Sequence, residues 1–244
     1  MSIWEWRVRF YDFREASCFR RGPAKAALFA DMRGKVLFVA AGTGTDFAAF
    51  PPDMDITAID ISDEMLRRAA KRARRYSGHL RLLKADALAL PFPDASFDTA
   101  VTSCTMCSVP NPVRALQELH RVLRPDGRLL MFEHVRSRQF LLGMTLDLMT
   151  LWTRRTGTEM NRDTLTNTRT AGFRITDVQS AYLDIILAVR AVRASDDLAR
   201  ATSTRRTAAQ PATDGIVAVP PLSVFSRPER RQSSPRATAP SVRV

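Results

Sequence analysis

The sequence predicts an α/β domain wound around a parallel sheet, and three observations carry that prediction. Val36-Leu37-Phe38-Val39 is an apolar run that stops at small residues and the glycines Gly42 and Gly44, as a buried parallel strand does when it turns sharply into a helix. Further strand-like runs then alternate with segments of helical periodicity, the order of a doubly wound sheet. Two of these runs lead into an acid, Asp60 and Asp86, at the carboxyl ends where open α/β sheets bind ligands.

Each element follows from local chemistry. The run over 36–39 is the first strand, and residues 46–50 begin a short helix that Pro51-Pro52 ends. Residues 54–60 form the second strand. Ser62-Asp63-Glu64 caps the next helix, with acids in the first turn where the helix dipole favours them. Met65, Leu66, Ala69, Ala70 and Ala73 give that helix an apolar face; Arg67, Arg68, Lys71, Arg72, Arg74 and Arg75 give it a solvated basic one. Residues 79–85 are the third strand, Leu90-Pro-Phe-Pro-Asp94 is a turn-rich linker, and Phe97–Ser103 is the fourth strand. Asn111-Pro112 opens a helix with a cap and a proline at its first position. Pro125-Asp126-Gly127 predicts a turn into a fifth strand over 128–133. An apolar helix over 141–152, a helix near 163–170 ended by Gly172, and strands over 173–178 and 185–192 complete the pattern.

Three segments result. Residues 1–34 interleave Trp4, Trp6, Phe10, Tyr11 and Phe13 with arginines; a lid over a pocket is the first expectation and contact with an anionic membrane the second. Residues 35–193 hold the sheet. Residues 194–244 are rich in Pro, Ser, Thr, Ala and Arg and hold six of the chain's fourteen prolines. Such a composition cannot bury enough apolar surface to offset chain entropy, so a disordered basic tail is expected.

Composition narrows the classes. At 244 residues the chain can bury one sizeable core. No apolar run reaches the roughly 18 residues that span a bilayer, and the N-terminus lacks the pattern of a signal peptide. Three cysteines offer no disulfide framework and suit a reducing cytoplasm. The expected location is therefore cytoplasmic, with peripheral contact at the inner membrane face. A net charge of +12 reads first as an arginine-rich solvated surface; it also favours anionic surfaces, either lipid head groups or nucleic acid, the second being the lesser expectation.

Three sites fall at successive strand ends. The Gly42 and Gly44 turn lets the backbone approach a ligand closely, because no Cβ intervenes. Asp60 can accept both hydroxyls of a ribose. The Asp86 side chain with the Ala87 amide matches the exocyclic amine and ring nitrogen of adenine. A dinucleotide site would want a third glycine to admit the pyrophosphate, where this chain has Thr45-Asp46-Phe47. Cys104-Thr-Met-Cys107 has redox or half-zinc spacing, but no second pair completes a metal site, so no metal is expected.

The chain resembles the class I S-adenosylmethionine-dependent methyltransferases, in the group of the ubiquinone/menaquinone-biosynthesis enzymes. The carrying segments are Val36-Leu-Phe-Val-Ala-Ala-Gly-Thr-Gly44, Thr57-Ala-Ile-Asp-Ile-Ser-Asp-Glu-Met-Leu66, Asp86-Ala-Leu-Ala-Leu-Pro-Phe-Pro-Asp-Ala-Ser-Phe-Asp98 and Leu119-His-Arg-Val-Leu-Arg-Pro-Asp-Gly-Arg-Leu-Leu130. Cys107-Ser-Val-Pro110, Phe132-Glu-His-Val135 and Asn161-Arg-Asp-Thr164 are similar to a subgroup of phospholipid N-methyltransferases and thiol S-methyltransferases. The resemblance implies a Rossmann-like, seven-stranded, mostly parallel sheet with helices on both faces and an antiparallel last strand. It implies S-adenosylmethionine as cofactor, with Ala40, Gly42, Thr43, Gly44, Asp60, Ile61, Met65, Asp86, Ala87 and Ser103 around it. Position 38, usually an acid that helps hold the cofactor's ammonium, is Phe38 here, and Ala40 stands where glycine is common.

Methyl transfer mainly needs a positioned acceptor and, for some acceptors, a base. Candidates follow the fourth and fifth strands, at 103–108 and at Glu133-His134. His134 is the proposed base or acceptor-orienting group; Tyr11, Cys107 and Asn161 are the proposed acceptor contacts. For His134 and Cys107 a structural role is the other reading, and for Asn161 a helix cap. The expected function is methyl transfer to a small or amphiphilic acceptor of quinone, aminophospholipid or thiol type. The other reading is a non-catalytic protein of this fold acting in interaction or nucleic-acid association.

Overall fold

The computed structural model of the chain describes residues 22–194, apart from Arg154 and Thr156. Strands β1 (Lys35–Val39), β2 (Asp55–Asp60), β3 (His79–Lys84), β4 (Phe97–Ser103), β5 (Leu123–His134), β6 (Phe173–Tyr182) and β7 (Ile186–Arg193) make one sheet in the order β3-β2-β1-β4-β5-β7-β6. The first five run parallel. Strand β7 is inserted antiparallel between β5 and β6. The strand order reverses at β1, which lies between β2 and β4.

Helices cover both faces: α1 (Gly22–Phe29), α2 (Asp63–Ala73), α3 (Pro112–Val122), α4 (Phe140–Thr153) and α5 (Thr164–Thr170). Alternate residues of β1 serve different layers, as a pleated strand requires. Leu37 and Val39 pack in the layer that holds Ala115, Leu116 and Leu119 of α3. Val36 and Phe38 pack in the layer that holds Leu28 and Phe29 of α1 and Ala69 of α2. The Ser62 hydroxyl accepts from the Met65 amide at 3.3 Å and the Asn111 side chain from the Arg114 amide at 3.0 Å, so both capping residues named from the sequence cap their helices. Asn161 does not: Asp163 takes that role for α5, accepting from the Thr166 amide.

Three differences from the sequence reading have physical causes. Residues 22–34 contain α1, whose Leu28 and Phe29 are fully buried against the sheet. Residues 46–50 form a 3-10 turn, Thr45–Ala49, rather than an α-helix. Pro125-Asp126-Gly127 does not separate helix from strand. Leu123 already pairs with Phe97, and a bulge between it and Arg128, which pairs with Thr99, absorbs the three residues inside β5. The lid expected over the first residues, Tyr11 included, and the tail beyond Ala194 lie outside the described residues.

Candidate functional site

A cleft of about 260 Å³ opens at the carboxyl ends of β1, β2 and β4, where the strand order reverses. Its walls bring together Ala40, Gly42, Asp60, Ile61, Met65, Asp86, Ala87 and Ser103 from the sequence-predicted set. Val39, Ile59, Ser62, Ala85, Cys104, Thr105, Ser108, Val109 and Pro110 complete the lining. The cleft is mostly apolar, and Asp60 and Asp86 are the two acids on its wall.

Asp60 is set by the backbone around it. Its Oδ2 accepts the Gly42 amide at 2.8 Å and its Oδ1 the Ser62 amide at 2.9 Å. The carboxylate thus ties the glycine turn to the end of β2 and keeps lone pairs for a ligand. Burial raises its pKa, against the opposing pull of the Ser62, Gly42 and Ile61 amides. Asp86 accepts the Leu88 amide at 2.9 Å, which holds the turn after β3 beside the cleft.

The glycine turn is tight for a steric reason. Gly44 has φ +79°, and a Cβ there would stand 2.6 Å from the Phe47 ring and 3.1 Å from the Ala69 Cα. Gly44 and Thr43 support the turn from behind the wall: Thr43 is fully buried, and its carbonyl accepts Arg72 Nη1 at 2.7 Å. Phe38 faces away from the cleft into a cluster of rings, 5.0 Å from Phe50 and 6.2 Å from both Phe29 and Phe47. A carboxylate at this position would be buried among these rings, whereas phenylalanine fills the space.

Two wall residues carry left-handed backbone without being glycine, Ala40 at φ +57° and Cys104 at φ +52°. This conformation costs a residue with a Cβ about 1–2 kcal/mol. Ala40→Gly relieves it, and the greater freedom of glycine in the unfolded chain takes part of that gain back. The expected result is a stabilisation of about 1 kcal/mol or somewhat less, read as a raised urea midpoint at unchanged slope. A lowered midpoint would contradict it.

The loop after β4 is built on Glu133, which the sequence offers with His134 as a candidate near the transfer site but without a role of its own. Glu133 is fully buried, and its two oxygens accept the amides of Thr105 and Met106, each at 3.1 Å. These bonds shape the loop after β4 that supplies Cys104, Thr105 and Ser108 to the wall. Burial pushes the Glu133 carboxyl up to about 7, while Thr102, the two amides and the Lys25 ammonium oppose the rise. Lys25, itself buried, pairs with Asp46 at 2.5 Å and sits 5.0 Å from the centre of the Phe132 ring. The signal in the sequence was an acid closing the apolar run Leu129-Leu-Met-Phe132, since a strand this apolar places such an acid in the core.

The remaining sequence-predicted residues stand behind or beside the cleft. Cys107 is buried and its thiol donates to the Cys104 carbonyl. Burial, with Glu133 adding to it, pushes this thiol up to about 11, so it stays protonated at neutral pH. The His134 main chain pairs with Ile186, and its carbonyl accepts the Thr164 hydroxyl. Asn161 Nδ2 donates to Asp147 of α4 at 3.0 Å. Its neighbour Arg162 does more at the cleft. The guanidinium donates to the carbonyls of Met106 and Val109 at 2.7 and 2.6 Å and to Glu159 at 2.9 Å. The Glu159 amide donates to the Cys107 carbonyl at 2.8 Å. Residues 159–162 therefore clamp the cleft's loop to the segment that follows α4.

Comparisons with known proteins agree with this geometry. Residues 37–131 match a family described as a methyltransferase domain. The ubiquinone/menaquinone biosynthesis C-methyltransferase UbiE of Pasteurella multocida is 39% identical over 105 residues, covering 41% of this chain and 39% of its own. The phosphatidylethanolamine N-methyltransferase of Cereibacter sphaeroides is 33% identical over 131 residues, covering 52% of this chain and 64% of its own. This chain thus spans less than two thirds of either relative. Among solved structures, a SAM-dependent methyltransferase from Thermotoga maritima superposes with a TM-score of 0.59 at 21% identity, over 79% of this chain and all of that one. At that identity the likeness bears on the fold alone.

Proposed function

We propose that this chain, which carries a methyltransferase domain over residues 37–131, transfers a methyl group from S-adenosylmethionine to a small amphiphilic acceptor. The observation that carries the reading is the convergence of Gly42, Asp60 and Asp86 on one cleft at the reversal of strand order. The donor set fits the cofactor. Asp60 offers a carboxylate to a ribose diol, Asp86 with the Ala87 amide offers an acceptor and a donor to an adenine edge, and Gly42 leaves room beside the backbone. When bound, the cofactor supplies an activated methyl on a sulfonium. The chain's own part is then to orient the acceptor and keep water out. In this reading Cys104, Thr105 and Ser108 of the cleft wall face the acceptor, and Glu133 and Arg162 hold their loop through its amides and carbonyls.

A quinone, an aminophospholipid or a thiol with an apolar tail suits so apolar a cleft, and the relatives named as quinone and phospholipid methyltransferases support these classes. Such acceptors are met at a membrane surface. We assign His134, Cys107 and Asn161 supporting positions around the acceptor, with His134 the candidate base. The test is calorimetric titration of the full chain with S-adenosylmethionine, S-adenosylhomocysteine and, as control, NAD. Micromolar binding of the first two and none of NAD is expected; no binding at millimolar ligand would overturn the reading.

A further inference from the structure

Helix α4 presents its apolar side to solvent. Phe140, Leu141, Met144, Leu148, Leu151 and Trp152 are each 51–77% exposed. At about 100° per residue these six fall within one arc of about 120° on the helix. The face turned to the protein holds Gly143, Leu146 and Thr150, which are buried. An ordinary surface helix places its polar residues outward, and here that order is inverted. The helix is 14 residues long, and among the described residues no helix is long and apolar enough to cross a membrane. It can lie along an interface but not span one.

Charge identifies the occupant of this face. Arg138 and Arg155, both exposed, flank the two ends of the helix. Its single acid, Asp147, is held by Arg136 at 2.7 Å and by Asn161, so no unpaired negative charge stands on α4. An apolar stripe between cations, on a chain of net charge +12, is complementary to acyl chains beneath anionic head groups. We infer that α4 is a docking surface for an anionic lipid bilayer, lying in the interface with Phe140, Leu148 and Trp152 in the acyl boundary and Arg138 and Arg155 at the phosphates. The inference rests on the proposed function for its purpose, since it names the surface from which an amphiphilic acceptor reaches the cleft. The connection is short: Met160 donates its amide to Thr150 of α4 at 3.3 Å, and Arg162 grips the cleft's loop.

The test is co-sedimentation of the full chain with vesicles of phosphatidylcholine alone and of phosphatidylcholine with phosphatidylglycerol. Binding to the second, weakened by salt, is expected. Replacing Phe140, Leu148 and Trp152 together by serine should lower the partition coefficient at least about tenfold, and R138E with R155E should lower it several-fold and flatten its salt dependence. All five positions are exposed, and an unchanged thermal midpoint verifies that the variants fold. The inference is overturned if the wild type does not bind anionic vesicles, or if the serine variant binds them as the wild type does. It is equally overturned if that variant dissociates a dimer, because a second copy would then cover the face. Titration of the wild-type chain with S-adenosylmethionine, without vesicles, separates the two readings. If the wild type binds the cofactor but not the anionic vesicles, the docking surface alone falls; if it binds the vesicles but not the cofactor, the methyl-transfer reading alone falls.

Discussion

Asp60→Ala is expected to lower the affinity for S-adenosylmethionine by about 100-fold or more in calorimetric titration. On the proposed reading, two charge-assisted hydrogen bonds to a ribose diol, each contributing about 1.5–3 kcal/mol, would disappear together. The same change leaves the Gly42 amide without the acceptor it has at 2.8 Å. A loss of stability of about 1–3 kcal/mol should therefore accompany it. Asp60→Asn separates the effects. Its amide oxygen can still accept one backbone N–H, so stability should return in part, while the second acceptor and the negative charge are gone and binding stays weak. Full affinity in both variants would remove Asp60 from the cofactor site.

The second large effect lies on the opposite side of the cleft. Glu133→Ala orphans the amides of Thr105 and Met106 in a fully buried place, and about 3–5 kcal/mol of stability should be lost in urea unfolding. Glu133→Gln exposes the ionisation itself. The folded carboxyl titrates at about 7, above its ordinary value of 4.5, so between those values the folded state binds more protons than the unfolded one. Stability from this group is full below about pH 4.5 and falls as pH rises toward 7, by about 3 kcal/mol over the whole window. The wild type should therefore lose more stability than the glutamine variant between about pH 5 and about pH 7.5. Equal slopes would show that Glu133 does not titrate there.

These two residues mark where the sequence was legible and where it was not. Asp60 could be read because a strand end and the cap after it are local features, and Gly42, Asp86 and the caps at Ser62 and Asn111 were readable for the same reason. Glu133 could be placed on a strand, but its role depends on a loop 27 and 28 residues earlier in the chain. The orientation of Phe38 was hidden by the strand's own composition. When every residue of a strand is apolar, alternation no longer tells the two layers apart. Helix α1 was masked by the aromatics and arginines before it, and its anchoring residues, Leu28 and Phe29, acquire meaning only against a sheet formed later in the chain. The Pro-Asp-Gly sequence in β5 reads as a turn until the pairing of Leu123 with Phe97 shows that the strand has already begun.

The insertion of β7 between β5 and β6 has a consequence for synthesis on the ribosome. The strands from Lys35 to Ser103, whose ends carry the Gly42, Asp60 and Asp86 side of the cleft, emerge in one stretch and can pair as they appear. The strand that carries Glu133 cannot be completed on its outer side until residues 186–193 follow. Through the intervening translation β5 offers a free edge of amides and carbonyls, the template on which a second nascent chain could pair. Among the described residues the last-made strand is thus an interior one, and it closes the edge that would otherwise join neighbouring polypeptides on a polysome.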